Sequence, residues 1–349
     1  MAISVTDARA LFTKQLIDVY QERIMPTSFL RSFFPTVTSP TKLVSIEVER
    51  GYEKIAVDVL RGTEGNRNTF SRSTEKIFEP PYFREFFDAT ELDLYDRVLG
   101  SQGNAQVPLF TALLQSVSDR LGLLQDKIER SYEKQCAEVL TSGIVTLNHG
   151  SNIDFKRKAE SLVDEGAGQY FADNIDPFAK FEAGGNFLRT VGKSGDAVFN
   201  AILGSTALTN LLANTKFTAR QNLFNMALDQ VIGPVRNSVG ATYHGTITAG
   251  SYKVQLWAYP QFYDNASGVS TPYIDPKQVI MIPSNPRFKL SFAAVPQLIG
   301  QPGQLPVQGA YTIGEYMDPR RAAHEFDIKS AGIAIPVAVD QIYTFKAVA

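Results

Sequence analysis

The stretch VPLFTALLQSVSDRLGLLQDKIERSYEKQCAEVL, residues 107–140, decides the architecture. At about 100° per residue, Phe110, Leu113, Leu114, Val117, Leu121, Leu124, Ile128, Tyr132 and Val139 share one side of a helix. Gln115, Asp119, Gly122, Asp126, Glu129 and Glu133 share the other. Pro108 suits the first turn, where its missing N–H would have had no partner, and Gly143 suits the position just past the end. Asp126 with Arg130 and Lys134 with Glu138 place opposite charges one turn apart. Such a helix is roughly 50 Å long, about three times the usual length. No heptad partner stands elsewhere in the chain, so the helix is expected as the buried spine of a large domain rather than half of a coiled coil.

Upstream, residues 43–87 read as long strands around a polar tip. Val44, Ile46 and Val48 alternate with Ser45, Glu47 and Glu49, the pattern of a half-buried strand. Gly51 marks a break, and Ile55, Val57 and Val59 begin a second strand. RGTEGNRNTFSRST, residues 61–74, is the tip, with Arg61, Arg67 and Arg72 set among Gly62, Gly65 and Phe70. Ile77 and Phe78 lie on the return, and Pro80-Pro81 end the ladder because proline cannot donate to it. Tyr82, Phe83, Phe86 and Phe87 follow. An extended arm beside a long helix suits a protein that grips copies of itself better than one enclosing a substrate. Nearer the N-terminus, residues 7–23 have the spacing of a short amphipathic helix, through Ala8, Leu11, Phe12, Leu16, Val19 and Tyr20. The knot Phe29-Leu30-Arg31-Ser32-Phe33-Phe34-Pro35 is either plain core or an arm packing on its own domain or on a neighbour.

Downstream, residues 143–155 read as a hairpin and a helix follows Asp176-Pro177. Residues 197–203 form a strand, then helices span 206–214 and 218–231. From Ala241 the pattern turns to strands at 243–247, 252–259 and 279–282, with a loop at 264–273 between the last two. Residues 295–319, rich in Pro, Gly and Gln, are expected as loop. The tail alternates through Phe326, Ile328, Ile333, Ile335, Val337 and Val339, and is expected to return into the sheet near the first strands.

The chain has 349 residues, is 44% hydrophobic and 20% charged, and carries a net charge of −2. That is enough chain for a sizeable core, and the balance excludes a protein that coats nucleic acid with basic charge. The single cysteine, Cys136, forms no intrachain disulfide. No secretory leader or membrane-spanning run is seen, so a soluble, non-exported chain is expected. Catalytic motifs are missing. His149, His244 and His324 have no metal-ligand spacing. Gly192-Lys193-Ser194 lacks the earlier glycine of a phosphate loop, since that position is Phe187. Gly166-Ala167-Gly168 lacks the third glycine of a dinucleotide fingerprint. Glu91, Asp93 and Asp96 read as solvated surface. No cofactor, metal or catalytic residue is assigned.

The order of parts resembles the major capsid proteins of tailed bacteriophages, in the family typified by the lambda major head protein. The resemblance is carried by FLRSFFP (29–35), KLVSIEVERG (42–51), IAVDVLRGTEGN (55–66), FEPPYF (78–83), the long helix, YKVQLWAYPQFYD (252–264) and SAGIAIPVAVDQIYTFK (330–346). It implies an α+β, HK97-like fold. Residues 1–42 would be the N-terminal arm and 51–85 the extended loop. Segments 43–50, 86–191 and 319–349 would form the peripheral domain, and 192–318 the axial domain. The implied function is a structural shell subunit, not an enzyme, assembling in the host cytoplasm into the virion head. Its implied partners are copies of itself as hexamers and pentamers, with scaffold, portal and decoration proteins. It would enclose double-stranded DNA without reading its sequence and would engage no membrane. Expected inter-subunit contacts are Phe29, Phe33, Phe34, Arg61, Gly62, Gly65, Arg67, Phe70 and Arg72. Lys54 and Lys76 lie in the arm, but no matched cross-linking partner accompanies them. An encapsulin-like compartment shell shares the implied fold, and a soluble anion-binding enzyme is the remaining alternative.

Overall fold

The computed structural model describes residues 25–48, 74–90, 109–147, 152–163, 170–172, 175–224, 235–236, 240–296, 307–318 and 323–348. The expected helix at 7–23, the arm tip at 61–73 and the carboxylates at 91–96 lie outside them. Strands β1 (Thr36–Thr38), β2 (Val44–Val48), β3 (Thr74–Phe78) and β4 (Tyr82–Thr90) precede the long helix α1 (Leu109–Thr141). Then come β5 (Ile144–Val145), β6 (Ile153–Asp154), β7 (Leu162–Val163), α2 (Pro177–Thr190), β8 (Val198–Leu203), α3 (Ser205–Ala213) and α4 (Thr215–Phe224). The rest is strand: β9 (Val235–Arg236), β10 (Thr242–Ala249), β11 (Tyr252–Ala258), β12 (Phe262–Asp264), β13 (Ser270–Pro272), β14 (Gln278–Pro283), β15 (Phe288–Phe292), β16 (Thr312–Asp318), β17 (Ala323–Pro336) and β18 (Tyr343–Lys346). The class is α+β, as expected.

Two sheets organise the chain. One runs β1–β15–β17–β16 with β4 also paired to β17, and the other runs β7–β18–β14–β8–β11–β10–β9. The first supports α1. Ile128, Tyr132, Val139 and Leu140 of the helix share one core with Leu290, Phe292, Ile333 and Ile335. Gly332 permits the close approach, since a Cβ there would stand 2.8 Å from the Tyr132 ring and 2.7 Å from the Phe292 ring. The second sheet carries a separate core of Phe178, Phe181 and Leu188 from α2 with Phe199, Val254, Met281 and Phe345. Helix α2 starts where the sequence placed it. Pro177 occupies the first turn and the Asp176 carboxylate accepts from Phe178 N at 3.0 Å.

Several expectations need correction. Residues 312–318, expected as loop, form β16 because β17 offers them a complete antiparallel partner. Composition registers turn formers but not a waiting strand edge. β15 was not foreseen, and the expected loop at 264–273 holds the return strand of the β12–β13 hairpin. The tail does not return as one piece. β17 pairs with β4, whereas β18 crosses to the other sheet and pairs with β14 and β7. β15 and β16 both pair with β17, and β18 pairs with β14. The polar side of α1 is also partly interior: Asp126 is 5% exposed and Glu133 0%.

Candidate functional site

Glu133 is buried because the N-terminal knot lies over it. Leu30 N and Arg31 N donate to its two carboxylate oxygens at 2.8 and 3.0 Å, and the Tyr259 hydroxyl donates at 2.7 Å. Thr27 joins Tyr259 at 2.7 Å, and the Arg31 guanidinium reaches Glu129 at 3.4 Å. One carboxylate thus ties the entry of the chain to α1 and to the end of β11. Burial pushes the Glu133 carboxyl above its usual range, against the pull of its donors. Burial and the Glu133 charge together push the Tyr259 phenol well up.

The knot's rings pack inward. Phe29 sits 5.2 Å from Trp257 and 5.6 Å from Tyr259, and Phe34 stacks on Phe288 at 5.0 Å. Both are 2% exposed. Both rings therefore pack within the chain's own core. Phe33 remains half-buried against Phe29.

The arm root is different. β2 and β3 pair from Val44–Phe78 to Val48–Thr74 and form a sheet of two strands. Val44 is buried and Phe78 meets Phe155 at 5.4 Å, so the base is anchored. Leu43 and Ile77 at the root and Tyr82 and Phe86 on β4 are exposed, with an exposed Lys42–Glu79 pair at 2.6 Å. β4 begins at Tyr82, inside the stretch assigned to the arm, and belongs to the β17 sheet. Arg61, Gly62, Gly65, Arg67, Phe70 and Arg72 lie outside the described residues, so the structure neither assembles nor separates them.

Two further joints escaped sequence reasoning. Arg157 donates to the carbonyls of Leu140 and Thr141 at 3.0 Å each, closing the end of α1, and also reaches Ser161 O, Ile342 O and Thr344 Oγ1. A cation there fits the negative end of the helix dipole, although burial lowers its pKa. Asp327, buried on β17, accepts from Arg84 at 2.7 Å and Lys329 at 3.0 Å. Nothing in the spacing of these residues marks them, because Asp327 meets Arg84, and Arg157 meets Ile342 and Thr344, only across distant segments. Glu133 was visible only as a polar-side residue.

Among the described residues no group of His, Cys, Asp and Glu could hold a metal ion, and no helix is long and apolar enough to cross a membrane. Cys136 is buried, which pushes its thiol far up and leaves it a packing residue. The Gly192 carbonyl accepts from buried Gln341 at 3.3 Å, and a Cβ on Gly192 would stand 2.7 Å from Asp340 O. That turn serves internal packing.

Comparison with known proteins bears on the same parts. The family model described as phage major capsid protein E matches residues 12–347. A prophage protein of E. coli CFT073, described as a capsid protein, has a similar structure at TM-score 0.62 and 13% identity, covering 99% of each chain. The mature capsid of bacteriophage PhiM1 gives TM-score 0.51 at 10% identity, covering 93% of this chain and 89% of that one. The capsid of cyanophage P-SCSP1u gives 0.51 at 9%, covering 95% and 91%. These likenesses show the fold, which is HK97-like. No curated protein matches the chain.

Proposed function

The chain belongs to the phage major capsid protein E family, and from that premise we propose how its parts build a shell. The protein is the structural subunit of an icosahedral phage head. The family match across nearly the whole chain carries this conclusion and favours it over an encapsulin-like compartment. The subunits meet as hexamers and pentamers, assembled in the host cytoplasm. The working chemistry is non-covalent association rather than catalysis. Scaffold, portal and decoration proteins act with it, and the shell encloses double-stranded DNA without base-specific contacts.

The extended loop at 51–85 is the gripping element, and residues 1–42 are the N-terminal arm. Arg61, Arg67 and Arg72 pair with carboxylates of a neighbour, Gly62 and Gly65 shape the turn, and Phe70 and Phe33 add apolar contact. An exposed ion pair contributes only about 0–1 kcal/mol, so geometry comes from repetition around the shell. The exposed apolar root favours this reading, since a lone two-stranded sheet is marginal in water. The strand pairings favour grouping β15 and β16 with the peripheral domain around α1.

Particle size tests the shell. Purified chain, alone and with its scaffold, is expected to form large closed particles in electron micrographs, and a chain that stays monomeric at high concentration rejects it. Deleting residues 61–74 is expected to leave the cooperative unfolding of the body intact while abolishing or misdirecting particles.

A further inference from the structure

From Met25 to Phe34 the chain passes over the body without joining either sheet, with one tight turn at Arg31–Phe33. Its backbone is fastened at Leu30 and Arg31, whose N–H groups donate to Glu133 Oε1 and Oε2. The next backbone fastening is at Pro35, whose carbonyl accepts from Leu290 N at 2.9 Å. Ahead of them, Thr27 Oγ1 meets the Tyr259 hydroxyl at 2.7 Å, and that hydroxyl donates to Glu133 Oε1 at 2.7 Å. One acid, 0% exposed, gathers these ties. An ion buried so deeply carries a desolvation cost that its donors only partly offset.

This line of hydroxyls has two complete arrangements, because a hydroxyl both donates and accepts. With Glu133 ionised, Thr27 donates to Tyr259 and Tyr259 to Oε1. With a proton from solvent on Oε1, the carboxyl donates to Tyr259 Oη, and Tyr259 turns its hydrogen to Thr27 Oγ1. Thr27 in turn faces the Tyr273 hydroxyl, and Leu30 N and Arg31 N keep their acceptors. We propose that Thr27, Tyr259 and Glu133 form a proton-operated clasp on segment 25–35. It grips with Glu133 protonated and loosens with Glu133 ionised, while the body stays folded. The clasp belongs to a single chain and stands apart from the shell reading.

Lifting the segment takes Phe29 off Trp257 and Phe34 off Phe288 and returns Glu133 to water. Its carboxyl then falls back toward the ordinary range, whereas burial raises it in the closed site. Closure is therefore favoured in full below the ordinary glutamate range and loses that contribution as pH rises through the raised value. Facing the acid are Arg31 of the segment, Glu129, Arg130 and Cys136 of α1, and Tyr259, Tyr273 and Tyr311. Burial pushes Cys136 and the three phenols upward, so they keep their protons while Glu133 titrates. Glu129, the other acid of this group, is held by Arg31 at 3.4 Å and Gln125 at 3.1 Å.

Hydrogen–deuterium exchange of the unassembled full chain tests this, read by mass spectrometry and corrected for intrinsic rates at each pH. Protection of peptides covering 25–35 is expected to fall several-fold from mildly acidic to neutral pH, while peptides from β15 and β17 keep theirs. Constant protection of 25–35, or loss in step with β15 and β17, overturns the clasp. Glu133→Gln is uncharged at every pH and is expected to abolish the response, whereas Glu129→Gln is expected to retain it. A response that survives in Glu133→Gln or disappears in Glu129→Gln belongs to another group and overturns the inference. Thr27→Val tests the hydroxyl relay. It leaves the ionised carboxylate its three donors but removes the acceptor that Tyr259 needs once the carboxyl is protonated. The midpoint of the response is therefore expected to move to lower pH, and an unmoved midpoint rejects the relay. Where Glu133→Gln does not fold, the unsubstituted chain and Thr27→Val still decide the matter.

Discussion

The C-terminal half of α1 and the root of the arm carry similar apolar patterns and meet opposite fates. Ile128, Tyr132, Val139 and Leu140 are buried against β15 and β17. Leu43, Ile77 and Tyr82 are exposed around a sheet of two strands. Burial stabilises by roughly 25 cal/mol per Å² of apolar area removed from water. The helix gains that within one chain. The root gains it only if another surface covers it, which is the role proposed for it in assembly, whereas the body gains it on folding.

Breaking the body side gives the largest expected effect. The Tyr132 ring packs edge-on to Phe83 at 5.5 Å and Phe292 at 5.3 Å, and its hydroxyl meets Ser330. Tyr132→Ala is expected to destabilise by about 3–5 kcal/mol, read as a fall in the urea midpoint of the unassembled chain.

Glu133→Gln probes the joint between the two regions. It exchanges an acceptor oxygen beside Arg31 N for an amide donor, at an expected cost of about 1–3 kcal/mol. Acidity sharpens the test. Burial raises the Glu133 carboxyl, so between the ordinary glutamate value and the raised one the folded chain holds a proton that the unfolded chain has lost. The contribution of Glu133 to stability is full below that window and declines as pH rises through it. Glu133→Gln is expected to remove this slope in urea titrations across pH, and an unchanged slope would assign it to another group.

Ile77→Ser is expected to move the stability of the unassembled chain by less than about 0.5 kcal/mol, since the side chain is already exposed. The same change is expected to reduce particle yield. A large stability loss with normal particles would reverse the contrast between root and body.

Much of the fold was legible in local pattern. The extent of α1, the cap of α2 at Asp176 and the strands β2, β8, β10, β11 and β14 follow from period and turn chemistry acting within a few residues. β16 was hidden because its strand character comes from β17, and Glu133 because its three donors come from the N-terminal knot and from Tyr259. Of the expected contact residues, Phe29 and Phe34 turned inward for the same reason: an aromatic cluster signals burial but not which surface supplies it.

The sequence by itself determined the long amphipathic spine, the α+β class and, through the order of its segments, the resemblance to a capsid subunit. Only the tertiary structure decided which side of α1 is interior, which sheet takes each half of the tail and where apolar surface is left uncovered. Those outcomes depend on pairings across more than a hundred residues, such as Leu30 with Glu133 or Arg84 with Asp327. Periodicity says that a side chain seeks a partner, and only the folded chain shows which partner it meets.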